Sequence, residues 1–288
     1  MKEKVWINGT SDIMFKTLLR NNRRYLAYIV SKITGIEESI IYNSLKYSPV
    51  EFKIENKNEK KKISDLIIEI DMHIINLEMN KKMNESIKNR NIAYIDKINI
   101  EQYKDKKDYK NSKKIIQINF NEQKYEGEKI VYKFKMMEEE LKLAYEDNKE
   151  IYVVDLEKIK DKCYNRLEMN IFEKALSLLV SRNKEEAKEL SEGNDMLEEV
   201  FNNMEELNMN EVFLGMYDEE EENKKMMNSM KLEGLEEGLE QGIEQGIGQG
   251  IEQEKIEIAK NMINKKIDIN IISEVTGLTK EEINKLRK

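Results

Sequence analysis

Three polar residues carry most of the chemistry legible in this chain: Asp65, Glu78 and Asn80. In Ser64-Asp65-Leu66-Ile67-Ile68-Glu69-Ile70-Asp71 the odd positions Asp65, Glu69 and Asp71 fall on one side and Leu66, Ile68 and Ile70 on the other. In Ile74-Ile75-Asn76-Leu77-Glu78-Met79-Asn80 the polar Asn76, Glu78 and Asn80 oppose Ile75, Leu77 and Met79. This period of two predicts a pair of half-buried strands. If they pair through an even-numbered loop near Met72 and His73, the polar faces coincide. Asp65 then stands opposite, or one step diagonal to, Glu78 and Asn80, roughly 5 to 8 Å away. Two carboxylates at that separation can hold a divalent cation through oxygen, and a cation so held can activate water against a phosphodiester. The same alternation also describes the solvent face of an ordinary hairpin.

The elements that must position these residues follow from periodicity and caps. Ser11 caps a helix predicted from Asp12 to Lys32, with Phe15, Leu18, Leu19, Leu26, Ile29, Val30 and Ile33 at helical spacing and Gly35 ending it. An extended, partly basic segment is expected from Ile41 to Ile54, ahead of the two acidic-faced strands. A second long helix over 83–109 runs through Ile87, Ile92, Tyr94, Ile95, Ile98 and Tyr103, and sets Arg90, Tyr94 and Gln102 on one drifting stripe. Lys113 to Phe120 reads as a strand with Ile116, Ile118 and Phe120 on one side; further strands are expected at Ile130–Met136 and Ile151–Leu156. From Asn165 the chain reads as helical. The fold class is α/β, a mixed sheet flanked by helices with an all-helical C-terminal region.

These motifs resemble a known family. Asp65, then Glu78-Met79-Asn80 on the next strand, is similar to the PD-(D/E)XK nuclease signature, and Ser11-Asp12-Ile13-Met14-Phe15-Lys16 resembles the opening of the Rpn group of recombination-promoting nucleases or putative transposases. Arg90, Tyr94, Gln102 and Tyr109 resemble the arginine, tyrosines and glutamine that follow there. The resemblance spans roughly residues 8 to 120 and implies a restriction-endonuclease-like fold and DNA cleavage dependent on Mg²⁺ or Mn²⁺. It implies Asp65 and Glu78 as metal ligands, Asn80 positioning the attacking water, Arg90 contacting phosphate, and Asp12, Lys16, Tyr94 and Gln102 in support. Asn80 is one methylene shorter than the family's glutamine and lacks the superfamily lysine's charge. Lys81 replaces that lysine only if the strand bulges, and Lys106 stands near the place of a missing glycine. A catalytically weak or inactive relative acting as an oligomeric DNA- or protein-binding module is the alternative that Asn80 favours.

Composition narrows the choice. A single histidine, His73, leaves no Ser-His-Asp or Cys-His triad and no zinc ligand set. One cysteine, Cys163, excludes an internal disulfide and suits a reducing cytosol. With no apolar run near 18 residues and no signal-peptide core, a cytoplasmic protein without a membrane span is expected. The net charge of −8 divides unevenly: residues 1–120 hold 24 Lys+Arg against 16 Asp+Glu, and residues 121–288 hold 25 against 41. Basic runs at Lys53, Lys57 and Lys60 to Lys62, and at Lys104, Lys106, Lys107, Lys110, Lys113 and Lys114, suit backbone phosphates. Lys81, Lys106, Lys107 and Lys110 join Arg90 as expected DNA contacts; solvated loops are the plain alternative.

The tail is a different object. Gly234, Gly238, Gly242, Gly246 and Gly250 recur every four residues beside Leu235, Leu239, Ile243, Ile247 and Ile251. Each glycine costs a helix about 1 kcal/mol relative to alanine, which close approach of a second helix along the glycine row offsets. A homo-oligomer through this helix is expected, with a poorly ordered linker as the alternative. Beyond it, helices over 256–266 and 269–276, a Gly277 stop and a Thr279-Lys280-Glu281-Glu282 capping box resemble a helix-turn-helix. Glu281 and Glu282, where a recognition helix meets DNA, favour a small packing hairpin instead. The expected division is a nuclease-like core over 1–162, a helical extension over 163–230, the repeat helix over 231–254 and the hairpin over 255–288.

Overall fold

The computed structural model describes residues 6–49, 64–81, 84–104, 112–145 and 148–286, in two compact units that divide after Met216. The first unit opens with α1 (Asp12–Asn21), α2 (Arg23–Thr34) and α3 (Glu38–Ser44), followed by β1 (Lys46–Ser48), β2 (Leu66–Ile70) and β3 (His73–Asn80). Then come α4 (Glu85–Lys104), β4 (Lys114–Asn121), β5 (Val131–Phe134), β6 (Lys149–Asp155), α5 (Leu156–Tyr164), α6 (Ile171–Val180), α7 (Lys184–Ser191) and α8 (Asp195–Met209). The strands form one sheet in the order β1-β2-β3-β4-β6-β5. β3, β4 and β6 run parallel, and β1–β2, β2–β3 and β5–β6 pair antiparallel. This is the mixed, helix-flanked, restriction-endonuclease-like sheet that the resemblance implies.

The alternation sorts two layers. Leu66, Ile68, Ile70, Ile75, Leu77, Ile116, Ile118 and Phe120 share the main core with Phe15, Leu18, Tyr25 and Leu26 of the N-terminal helices and with Leu176 and Leu179 of α6. Phe15 meets Phe120 edge-on at 5.4 Å between ring centroids. On the opposite face Ile67 and Ile115 pack with Tyr94, Ile95 and Ile98 of α4. Both faces are therefore covered, and β3 is buried from Ile75 to Asn80.

Three local readings are corrected. The first helix breaks at Asn22 (φ −111°, ψ 74°), whose side-chain amide donates to Leu18 O at 2.8 Å and to Asn203 Oδ1 at 2.9 Å. The alternative hydrogen bonds that asparagine offers the backbone end α1 there. Residues 41–44, expected as extended, complete α3. The C-terminal helices begin at Leu156 rather than near Asn165, because Asp155 closes β6 and caps α5 at once, its carboxylate accepting from Lys158 N–H.

In the second unit, α9 (Glu211–Asn264), which begins before the division, precedes α10 (Ile269–Thr276) and α11 (Lys280–Leu286). Ala259, Ile272, Leu278 and Ile283 form the buried centre of the terminal helices. Gly277 stops α10 at φ +70°, the left-handed conformation in which glycine is least strained.

Candidate active site

The β2–β3 hairpin turns through Asp71 and Met72, since Ile70 pairs with His73, and its register sets Leu66 against Leu77. One step further, Asp65 lies opposite Glu78. Each carboxylate accepts from backbone on the facing segment: Asp65 N–H donates to Glu78 Oε1 at 3.3 Å, and Met79 N–H donates to Asp65 Oδ2 at 2.8 Å. The remaining oxygens face cations from the helices. Lys16 Nζ of α1 lies 3.2 Å from Asp65 Oδ1, and Arg90 of α4 lies 3.6 Å from Glu78 Oε2.

The carboxylates are more enclosed than their cations. Asp65 and Glu78 side chains are 14% and 2% exposed, against 35% for Lys16 and 43% for Arg90. Burial first, and then the charge of Asp65, push the Glu78 carboxyl up to about 8. Burial also raises Asp65, with Asp12 adding to the rise and Lys16 and the Met79 N–H opposing it. Two acids that resist ionising side by side form a site that gains from a cation between them.

Among the described residues no three His, Cys, Asp or Glu side chains gather as a metal cluster. The donor set is two carboxylates, each with one oxygen fixed by backbone and the other paired to a partly exposed, displaceable cation. Mg²⁺ fits such a set, because it retains several waters and takes one or two carboxylates plus substrate oxygens.

Asn80 is 2% exposed and engaged at both ends of its amide. Its Oδ1 accepts from Arg90 at 2.8 Å, and its Nδ2 donates to Asn121 Oδ1 at 3.0 Å. A water-positioning role would require one of these partners to be exchanged. β3 pairs regularly with β4 through Asn80, with no bulge, and Lys81 is exposed just past the strand end. Arg90 also stacks over Tyr94, 5.6 Å from its ring centroid. Gln102 is not brought to the site. Its amide brackets Lys113, accepting from its N–H at 2.7 Å and donating to its carbonyl at 3.2 Å. That is the start of β4, roughly 26 Å along the strand from Asn121 at a rise of ~3.3 Å per residue. Lys113 itself pairs with Glu69 at 3.0 Å. Lys53, Lys57, Lys60, Lys61, Lys62, Lys106, Lys107, Lys110 and Tyr109 lie outside the described residues.

Sequence reasoning missed a buried ladder of amides beside the carboxylates. Asn76 Nδ2 donates to Glu78 Oε1 at 3.2 Å and to Gln117 Oε1 at 2.8 Å. Gln117 donates to Asn119 Oδ1 at 2.9 Å, which also accepts from Asn91 of α4 at 2.9 Å. Asn121 continues to the Tyr125 hydroxyl at 3.3 Å. The signal was available: Gln117, Asn119 and Asn121 alternate with Ile116, Ile118 and Phe120, as Asn76, Glu78 and Asn80 do on β3.

In the second unit, Gly277 to Thr279 connect α10 to α11, and Thr279 N–H and hydroxyl donate to Glu282 Oε2 at 2.8 and 2.7 Å. Glu282 is thus a capping residue, which weakens the charge argument for a mere packing hairpin.

A family model described as PD-(D/E)XK nuclease family transposase matches residues 10–233. A second, described as the Rpn/YhgA-like nuclease family C-terminal HTH domain, matches residues 252–288. No curated protein and no solved structure matches the chain significantly.

Proposed function

The chain belongs to the PD-(D/E)XK nuclease family transposases, and from that membership and the geometry of its acidic sheet end we propose that it is a metal-dependent DNA endonuclease serving recombination or transposition-like transfer. The observation that carries the reading is the facing pair of carboxylates, Asp65 and Glu78, each with one oxygen held by a backbone N–H across the hairpin, Met79 N–H for Asp65 and Asp65 N–H for Glu78.

A bound Mg²⁺ or Mn²⁺ would polarise the phosphodiester and lower the pKa of an attacking water. Asp65 and Glu78 would hold it, their anchored oxygens keeping the free ones in place. Asn80 and Asn121 fix the guanidinium of Arg90, which would offer charge to the scissile phosphate. Lys16, which pairs with Asp65 at 3.2 Å, would offer a second positive group beside the bound ion.

The basic first half and the terminal helix-turn-helix would bind DNA, the latter through α11 as a short recognition helix. The glycine-rich stretch of α9 would join copies of the chain. Leu235, Leu239, Ile243, Ile247 and Ile251 are all exposed, and an added Cβ at Gly238, Gly242 or Gly246 would meet nothing within 4 Å. Among the described residues no helix is long and apolar enough to cross a membrane. A cytoplasmic setting agrees with the single reduced cysteine.

A second reading, a DNA- or protein-binding relative without cleavage, is favoured by Asn80, which places no charge where the superfamily has lysine. Plasmid nicking with Mg²⁺, with Mn²⁺ and with chelator separates the two. Cleavage that requires the ion supports the nuclease; binding without cleavage under every ion supports the second reading.

A further inference from the structure

β5 is an edge strand, and beyond Phe134 the chain continues as a ribbon that folds back on itself. Tyr145 N–H donates to Met136 O at 3.1 Å and Glu138 N–H to Leu143 O at 2.8 Å, with Met137 bridging Ala144 antiparallel. Between these bonds the ribbon presents Phe134, Met136, Met137, Leu141, Leu143 and Tyr145, each between 44% and 83% exposed. An open edge and a run of exposed apolar side chains are the two features that folded chains usually remove. Here they coincide.

Charge on the ribbon is segregated along its length. At its root, Lys133 and Lys135 reach the carboxylate of Glu150 at 2.8 and 3.2 Å, beside Lys114 at 2.9 Å. Three ammonium groups thus surround one carboxylate. At its tip lie Glu138, Glu139 and Glu140, all exposed. Glu138 closes the turn, accepting from Glu140 and Leu141 N–H at 3.1 and 2.6 Å, which leaves Glu139 and Glu140, partly offset by the exposed Lys142, as the tip's outward charge.

We propose that this ribbon is an interface between two copies of the chain, docked edge to edge and antiparallel about a two-fold axis. A two-fold antiparallel arrangement sets the basic root of each copy against the acidic tip of the other, so both charge contacts form together. Phe134, Met136 and Met137, between root and tip, then cover their own counterparts. A parallel arrangement would oppose lysine to lysine and glutamate to glutamate. A nucleic-acid partner would meet the acidic tip, and a lipid surface would meet it too. The self-complementary pattern selects a second copy.

The test uses the full chain and sedimentation equilibrium. Lys133→Glu with Lys135→Glu makes one variant, and Glu139→Lys with Glu140→Lys the other. Each alone opposes like charges at both contacts and should halve the assembly mass, whereas an equimolar mixture makes both contacts attractive again and should restore it. Lys133 and Lys135 also neutralise Glu150, so the first variant is checked by circular dichroism. Leu141→Asp with Tyr145→Asp, which touches no buried charge, carries the test if that variant fails to fold, and should also halve the mass. The α9 helix is intact in every variant, so assembly through it does not mimic this pattern. A monomeric wild type, unchanged masses in the variants, or halved masses that mixing does not restore would each overturn the proposal.

Discussion

The sheet end and the long α9 helix break the same rule in opposite directions. Beside Asp65, the sheet buries Asn76, Glu78, Asn80, Gln117, Asn119 and Asn121, each no more than 3% exposed. The helix leaves Leu235, Leu239, Ile243, Ile247 and Ile251 between 49% and 67% exposed. A buried polar group costs stability unless hydrogen-bonded, and an exposed apolar row gains nothing until it is covered. The sheet end meets most of that cost inside one chain through the amide ladder, with Asn76 Oδ1 and Asn91 Oδ1 left without a partner. The helix does not. The first is therefore organised within one protomer, and the second is the surface that we propose a second copy covers.

The comparison breaks most sharply at the carboxylates. Asp65→Ala or Glu78→Ala should reduce metal-dependent nicking on the order of 100-fold or more, because each removes half of a two-carboxylate donor set. Each also accepts a backbone N–H, so the thermal midpoint should fall modestly, and nicking is compared at a temperature where circular dichroism shows each variant folded. A variant that nicks normally, with contaminating nuclease excluded, would place the chemistry elsewhere.

The helix should fail differently. Substituting leucine for Gly238, Gly242 and Gly246 raises helix propensity by about 1 kcal/mol per site while blocking close helix approach. The expected result is loss of α9-mediated assembly by light scattering, with nicking per site retained. Assembly equal to the wild type would make the stretch a spacer rather than a contact.

The amide ladder should show intermediate effects. Asn119→Leu leaves Gln117 and Asn91 each without an acceptor, and should cost about 1–3 kcal/mol in urea unfolding. Asn91→Leu should cost less, and the double variant less than the two together, because they share a bond. Strict additivity would show that the ladder is not coupled.

A pH slope is the last effect. The folded Glu78 carboxyl sits at about 8, above its ordinary value of 4.5, so its stabilising contribution is complete below the ordinary value and is lost as pH rises through about 8. Metal-free wild type should therefore lose stability across that window more steeply than Glu78→Gln. Metal affinity should move the other way and strengthen toward pH 8, since binding releases the proton. Parallel stability profiles for wild type and Glu78→Gln would remove Glu78 as the source of the slope.

Much of the sheet end was legible because its signals are local. Alternation in residues 64–80 yields the hairpin and its even-numbered loop, and register then fixes Asp65 opposite Glu78. The pairing of β3 with β4 is not local, so Gln117, Asn119 and Asn121 read only as the unremarked side of an apolar strand. Helical spacing grouped Gln102 with Arg90, but a helix of 20 residues is about 30 Å long at 1.5 Å per residue, and its two ends serve opposite ends of β4. The break at Asn22 was hidden by apolar spacing that runs on through both helices, although the asparagine that bonds back to Leu18 O stands in the sequence.

The central claim is that Asp65 and Glu78 together hold one divalent ion. Titration of Mn²⁺ into the full chain, followed by electron paramagnetic resonance, tests it without reference to cleavage. The account predicts saturable binding at one site per sheet end in the wild type, and its loss in both Asp65→Asn and Glu78→Gln. Retention of that site in either variant would contradict it.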